Sequence, residues 1–205
     1  MAARLAETTR LEAFSDGVFA IAITLLVLEI PVPTHAETAA AGGLARALAD
    51  RWPSFTGFVI SFLTIGIMWV SHHAIFQYVR HTDRRFLLVN VLFLMGICFV
   101  PFPTAVLAEH LPDAANRLTA TVLYGAMFVV MSVLFNTVWW VGTAEGRLLG
   151  GDVDRKGLEV ISKRYRFTPL VYVVALAFAP LSVWITLGTI LLMAVFFMRP
   201  ERGQR

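Results

Sequence analysis

Cysteine is almost absent. Cys98, inside an apolar run, is the single one in 205 residues. One thiol cannot build an intrachain disulfide framework or a multi-cysteine zinc site. Charge is scarce too: 15% of residues are charged, where a soluble domain carries roughly 25%. The net charge of +3 is too small to point to nucleic acid. No GxGxxG, Walker loop, zinc-protease helix or nucleophile elbow is present. No nucleophile–base pair or metal motif sits where an enzyme would need one, so the chain reads as a non-enzyme without a bound cofactor or metal. The first ten residues are polar, the run that follows is too long for an h-region, and no A-x-A site closes it. A cleavable signal peptide is therefore not expected.

What is abundant is apolar surface, at 58% of residues. The expectation is an all-α integral membrane protein, one domain over residues 1–205. A spanning helix needs about 20 apolar residues, with a range of roughly 17–25. Six candidates follow, at about 11–30, 54–78, 86–108, 117–142, 167–180 and 182–199. The last two share one apolar run from Phe167 to Met198. It is too long for one span and short for two, and Pro180 with Ser182 supplies a break. The Lys/Arg asymmetry supports this count, because cytoplasmic loops hold the excess. With both termini inside, fourteen of the 17 Lys and Arg fall on the cytoplasmic side, among them Arg4, Arg199, Arg202 and Arg205. Only Arg46, Arg51 and Arg117 fall outside. Residues 31–53 read as an outer loop with a short amphipathic helix. Residues 146–166 read as a basic cytoplasmic segment with a helix from Asp154 to Tyr165, suited to anionic lipid headgroups.

The most informative stretch is Arg10 to Ile30, RLEAFSDGVFAIAITLLVLEI. Asp16 lies about a turn and a half inside this apolar helix. A carboxylate there costs roughly 2.5–3.5 kcal/mol on insertion scales and is rare without a role. Depth counted at about 1.5 Å per residue puts other polar groups in the same slab near the inner leaflet. Ser15 is beside Asp16, His72 and His73 lie near the cytoplasmic end of helix 2, Asn90 is one turn into helix 3, and Asn136 is somewhat deeper on helix 4. Buried polar groups need partners, so a hydrogen-bonded network fixing helix 1 is expected, with Asp16 accepting from Ser15, a histidine or Asn90. A proton relay would use the same residue types. A His72–His73 metal site is disfavoured, because neighbours on a helix point about 100° apart.

Ile21, Leu25 and Leu28 follow i, i+4, i+7 spacing and form one stripe, with Gly17 and Thr24 on or beside it. Asp16 is about 140° round the helix from Ile21. If Asp16 faces the protein interior, the stripe faces lipid or a subunit axis. Around an axis it would make a narrow apolar constriction of the kind that gates by dewetting. Glu29 closes the outer end, either as a solvated helix end or as a charge that concentrates cations.

Arg10-Leu11-Glu12-Ala13-Phe14-Ser15-Asp16 matches RxxxFSD, and the chain in this respect resembles the transmembrane protein 175 family of potassium channels. The following GVFAIAITLLVLEI, a length of about 200 residues, His with Trp on helix 2 and Asn on helix 3 are similar as well. The resemblance implies a homotetramer of six-helix subunits in a prokaryotic plasma membrane, with a pore along the axis lined by helix 1. It implies potassium as permeant ion, weakly preferred over sodium, since no TVGYG filter is present. By the same resemblance Ile21 is the constriction, Leu25 and Leu28 are further apolar layers, and Thr24 is the layer linked to potassium preference. Arg10, Phe14, Ser15 and Asp16 form the signature network, with Trp69, His72 or His73, and Asn90 as its partners. The rival function is a proton-conducting channel or proton-coupled transporter built on Asp16 and the histidines.

Overall fold

The computed structural model describes residues 6–151 and 153–198. Arg4, Arg199, Arg202 and Arg205, used above for topology, lie outside these, as does the last residue of the sixth expected span. The described chain is mostly helical: β1 (Ala6–Glu7), α1 (Thr9–Leu25), α2 (His35–Ala40), α3 (Leu44–Ala49), α4 (Trp52–Tyr78), β2 (His81–Thr82), α5 (Arg84–Phe99), α6 (Pro101–His110), α7 (Arg117–Thr143), α8 (Arg155–Arg166), α9 (Thr168–Ala177) and α10 (Val183–Phe197).

Four segments are long and apolar enough to cross a membrane: Thr9–Glu29, Trp52–Tyr78, Arg84–His110 and Arg117–Thr143. They match the first four expected spans, with two internal changes. The first tightens at its C-terminal end into a 3-10 turn, Leu26–Glu29. The third is divided at Val100 into α5 and α6. Pro101 and Pro103 lack the N–H groups that would continue the ladder, and Thr104 Oγ1 donates to the Val100 carbonyl at 2.8 Å.

The expected fifth and sixth spans differ more. The fifth was placed at 167–180, yet α9 has only 10 residues and ends at Ala177. At about 1.5 Å per residue it covers roughly half a hydrocarbon core. The chain turns over residues 178–182, through Pro180, and α10 follows with 15 residues and Ser182 as N-cap. The hairpin exists, but neither arm is a full-length span by itself.

The loop over residues 31–53 holds two short helices where one was expected. Thr34 and Glu37 close a capping box on α2, and Arg51 binds Glu37 at 2.5 Å. The Thr34 backbone N–H, the Thr34 hydroxyl and the Arg51 guanidinium together hold the Glu37 carboxyl down to about 2.

In the packing, α1 lies against α4 and α5, α5 and α6 against α7, and α9 and α10 against α7. The core between them is rich in phenylalanine: Phe19, Phe86, Phe93 and Phe128 are fully buried. At the end of the bundle where α1 begins, the segment before α1 is tied down. β1 pairs antiparallel with β2, the Arg80 and His81 N–H groups donate to the Leu148 carbonyl, and Arg147 reaches Asp83 at 2.5 Å. Gly142 lets α7 seat on this turn, since a Cβ there would come within 2.9 Å of Val79 and 3.0 Å of Phe86.

Candidate functional site

α1 has two faces with different fates. Leu11, Ser15, Phe19 and Ala22 are buried against α4 and α5, and Leu26 of the following 3-10 turn against α4 and α6. Their spacing of three or four residues makes one inward stripe. The other face carries the expected pore stripe, and it is bare: Ile21 is 61% exposed, Leu25 42% and Leu28 73%. The 3-10 turn matters here. Three residues per turn bring positions i and i+3 into register, so Leu28 stays above Leu25.

Thr24 stands on the same open face, and its Oγ1 donates to the Ile21 carbonyl at 2.8 Å. With its proton committed to the helix, the hydroxyl oxygen presents its lone pairs outward, which suits a cation. Gly17 is also on this face.

The expected polar network is present as two separate pieces. In the first, Asn90 Nδ2 donates to Ser15 Oγ at 3.1 Å, and Asn90 Oδ1 meets His72 Nε2 at 2.7 Å. All three residues are fully buried or nearly so. The oxygen of Asn90 accepts, so His72 carries its proton on Nε2 in this arrangement. Its ring is stacked on Phe93 and flanked by Phe19 and Phe76. This piece joins α1, α4 and α5.

In the second, Trp69 Nε1 donates to Asp16 Oδ1 at 2.8 Å. Asp16 and Trp69 are exposed on the subunit, and His73 lies beside Trp69 with ring centroids 6.2 Å apart. Asp16 therefore does not accept from Ser15, a histidine or Asn90, as the sequence suggested. Ser15 and Asp16 are neighbours about 100° apart and point to different faces. His72 and His73 are neighbours on α4 and point about 100° apart, so the rotation that buries His72 leaves His73 exposed beside Trp69.

Phe14 and Arg10 are exposed on the opening turns of α1 and join neither piece. Asn136 stays apart from both. Its Nδ2 donates to the Ser132 carbonyl of its own helix at 2.8 Å. Among the described residues no group of three or more His, Cys, Asp or Glu is placed to hold a metal.

One polar node escaped the sequence reading. Ser61 Oγ lies 2.7 Å from Thr104 Oγ1 and 2.9 Å from Tyr124 OH, joining α4, α6 and α7 in the core. The signal was available, as three hydroxyls in three apolar spans at similar depth.

The family model described as endosomal/lysosomal potassium channel TMEM175 matches residues 10–101. A potassium channel of Chamaesiphon minutus is 48% identical, with 93% of each chain covered. One of Streptomyces collinus is 42% identical, with 93% of this chain and 91% of that one covered. The endosomal/lysosomal proton channel TMEM175 of Homo sapiens is 32% identical over 64% of this chain and 27% of its own length. Among solved structures, the lysosomal potassium-selective channel TMEM175 homolog from Chamaesiphon minutus aligns with a TM-score of 0.85 and 44% identity, covering 93% of this chain and 96% of that one.

Proposed function

We propose, since the chain belongs to the TMEM175 family, that it is a potassium-selective cation channel whose pore is lined by α1 from four copies around an axis. The observation that carries this reading is the bare face of α1. A single subunit leaves Ile21, Leu25 and Leu28 in the open on one flank and, about 140° round the helix from Ile21, a carboxylate, Asp16, that lipid would not tolerate uncovered. A symmetric assembly resolves both problems. The apolar stripe then meets its own copies at the axis, and the Asp16–Trp69 pair is covered at or near a subunit boundary.

In this assembly Ile21 forms the narrowest apolar ring, with Leu25 and Leu28 as further layers and Thr24 offering hydroxyl oxygens next to it. Such a ring blocks ions by dewetting when tight and passes them when the bundle widens. Potassium sheds water more readily than smaller ions, and a hydroxyl layer without carbonyl rings gives a weak preference. The Ser15–Asn90–His72 piece holds the rear face of α1 to its subunit, so that the stripe keeps its aim. The hairpin of α9 and α10 completes a six-helix subunit with both termini on the cytoplasmic side of a prokaryotic plasma membrane.

The proton-relay alternative draws less support. Asp16 is bonded to Trp69 and His72 to Asn90, so no hydrogen-bonded path joins the carboxylate to the buried imidazole among the described residues. The relatives covered nearly end to end are named potassium channels, whereas those named proton channels match a smaller part.

The test is potassium, sodium and proton flux from liposomes holding the purified protein, run beside Ile21→Asn. Potassium flux above sodium flux, raised or otherwise altered by Ile21→Asn, is expected. Proton flux without potassium flux, indifferent to Ile21, would overturn the α1 pore.

A further inference from the structure

We propose that the groove between the cytoplasmic end of α7 and the α8–α9 junction holds an anionic phospholipid of the inner leaflet. The groove is lined by Val133, Asn136, Thr137, Trp140, Arg166 and Pro169. Val133, Trp140 and Pro169 give it apolar surface, Asn136 and Thr137 direct an N–H and a hydroxyl to carbonyls of their own helix, and Arg166 brings one guanidinium. This is the layout an amphiphile requires, with chains along Val133 and phosphate at Arg166.

The charges on α8 favour a lipid phosphate. This helix carries Arg155, Lys156, Lys163, Arg164 and Arg166 against a single acid, Glu159. Glu159 is taken by Lys163 at 2.8 Å. Arg164 is turned inward, donating to the Phe196 carbonyl and lying over the Phe196 and Phe197 rings. Arg166 is exposed at the groove, with no ion pair or hydrogen bond to another described residue. Trp140 is 66% exposed, and its indole N–H likewise has no partner among the described residues. Tryptophan with this exposure at a helix end sits at headgroup level.

No acidic side chain lines the groove, so a second copy seated there would need to bring its own carboxylate. A lipid phosphate brings the charge and the apolar chain together, and arginine binds it through two parallel N–H donors. Leu170, Val173 and Val174 continue the apolar surface along α9. The proposal rests on the cytoplasmic placement of α8, since the inner leaflet is where anionic headgroups attract juxtamembrane basic residues.

The test uses the purified full chain in a neutral detergent. Thermal stability is measured with phosphatidylglycerol, with phosphatidylcholine and with free glycerol phosphate. A ligand that binds only the folded state raises the midpoint. We expect phosphatidylglycerol to raise it, phosphatidylcholine and glycerol phosphate not to, and Arg166→Gln to lose most of the response. Arg155→Gln, which removes the same charge at the far end of α8, should keep it.

Equal responses to both lipids, an unaltered response in Arg166→Gln, or an equal loss in Arg155→Gln would overturn the site. A response to glycerol phosphate matching that to phosphatidylglycerol would assign it to a free anion and overturn the lipid. Potassium flux in pure phosphatidylcholine liposomes is read separately. Its absence would sink the channel reading and leave the lipid result standing.

Discussion

The two faces of α1 are built from the same kinds of residue, yet one is finished within the subunit and the other is not. The rear face buries Phe19 and Ala22 to 1% exposure each and Ser15 completely. Its one polar side chain is satisfied by Asn90. The front face leaves Ile21, Leu25 and Leu28 bare, and the Asp16 carboxylate is exposed on the opposite flank of the helix. The difference teaches that composition does not separate a face packed within the subunit from one left open. Within one helix, a face already satisfied by its own subunit supports the fold, and a face that remains open is available for assembly and ion passage.

The sharpest way to break this comparison is to truncate one residue on each face. Phe19→Ala removes a ring packed against both His72 and Phe93 and should cost about 3–5 kcal/mol, as large-to-small core changes do. Ile21→Ala should leave subunit stability nearly unchanged and alter flux. Unfolding in detergent, read beside liposome flux, checks both. Equal destabilisation by the two would erase the distinction between the faces.

Asn90→Leu comes next. It strands Ser15 Oγ and His72 Nε2 inside the core, at about 1–3 kcal/mol. The expected result is a lower unfolding midpoint, with ion preference retained in whatever folded protein remains. A loss of potassium preference at full stability would move this piece from the rear face to the pore.

Trp69→Phe is smaller. It takes the indole N–H from Asp16 while keeping an aromatic ring, and the pair is exposed on the subunit. A loss below about 1.5 kcal/mol is expected for one such hydrogen bond. The effect should appear in the fraction of assembled protein on size-exclusion chromatography more than in subunit unfolding.

The smallest effect concerns the Arg147–Asp83 clamp. Burial alone would raise the Asp83 carboxyl, but the Phe86 N–H and the Arg147 guanidinium outweigh it and hold it below the usual carboxylate range. A depressed carboxyl contributes stability above its unfolded value, about 3.9, and loses it as pH falls through the lower folded value. Asp83→Asn keeps a good helix cap and removes only the charge. The stability gap between wild type and Asp83→Asn should therefore be present at pH 7 and close below pH ~4, followed by thermal unfolding. A gap that persists at low pH would refute the ion-pair account.

Much of the architecture was legible in the sequence. The four long spans follow from runs of about 20 or more apolar residues, and the α8 helix follows from Asp154 as cap with basic residues behind it. The break in the third span was missed, although Pro101 and Pro103 announced it. The fifth span was read as too long, because an apolar run tells what lipid or core accepts and not where a turn ends the helix.

The sequence by itself determined that the chain lives in a membrane, that α1 carries an apolar stripe, and that Ser15, Asp16, the histidines and Asn90 share a depth. These are properties of spacing along a helix, and spacing is written in the chain. The tertiary structure alone decided that His72 goes inside and His73 does not, that Asp16 pairs with Trp69, and that the Ile21 stripe faces away from its own subunit. Sequence fixes the angle between two side chains on one helix. How that helix is rotated against its neighbours is set by packing, here by Phe19 among the rings and Ser15 against Asn90.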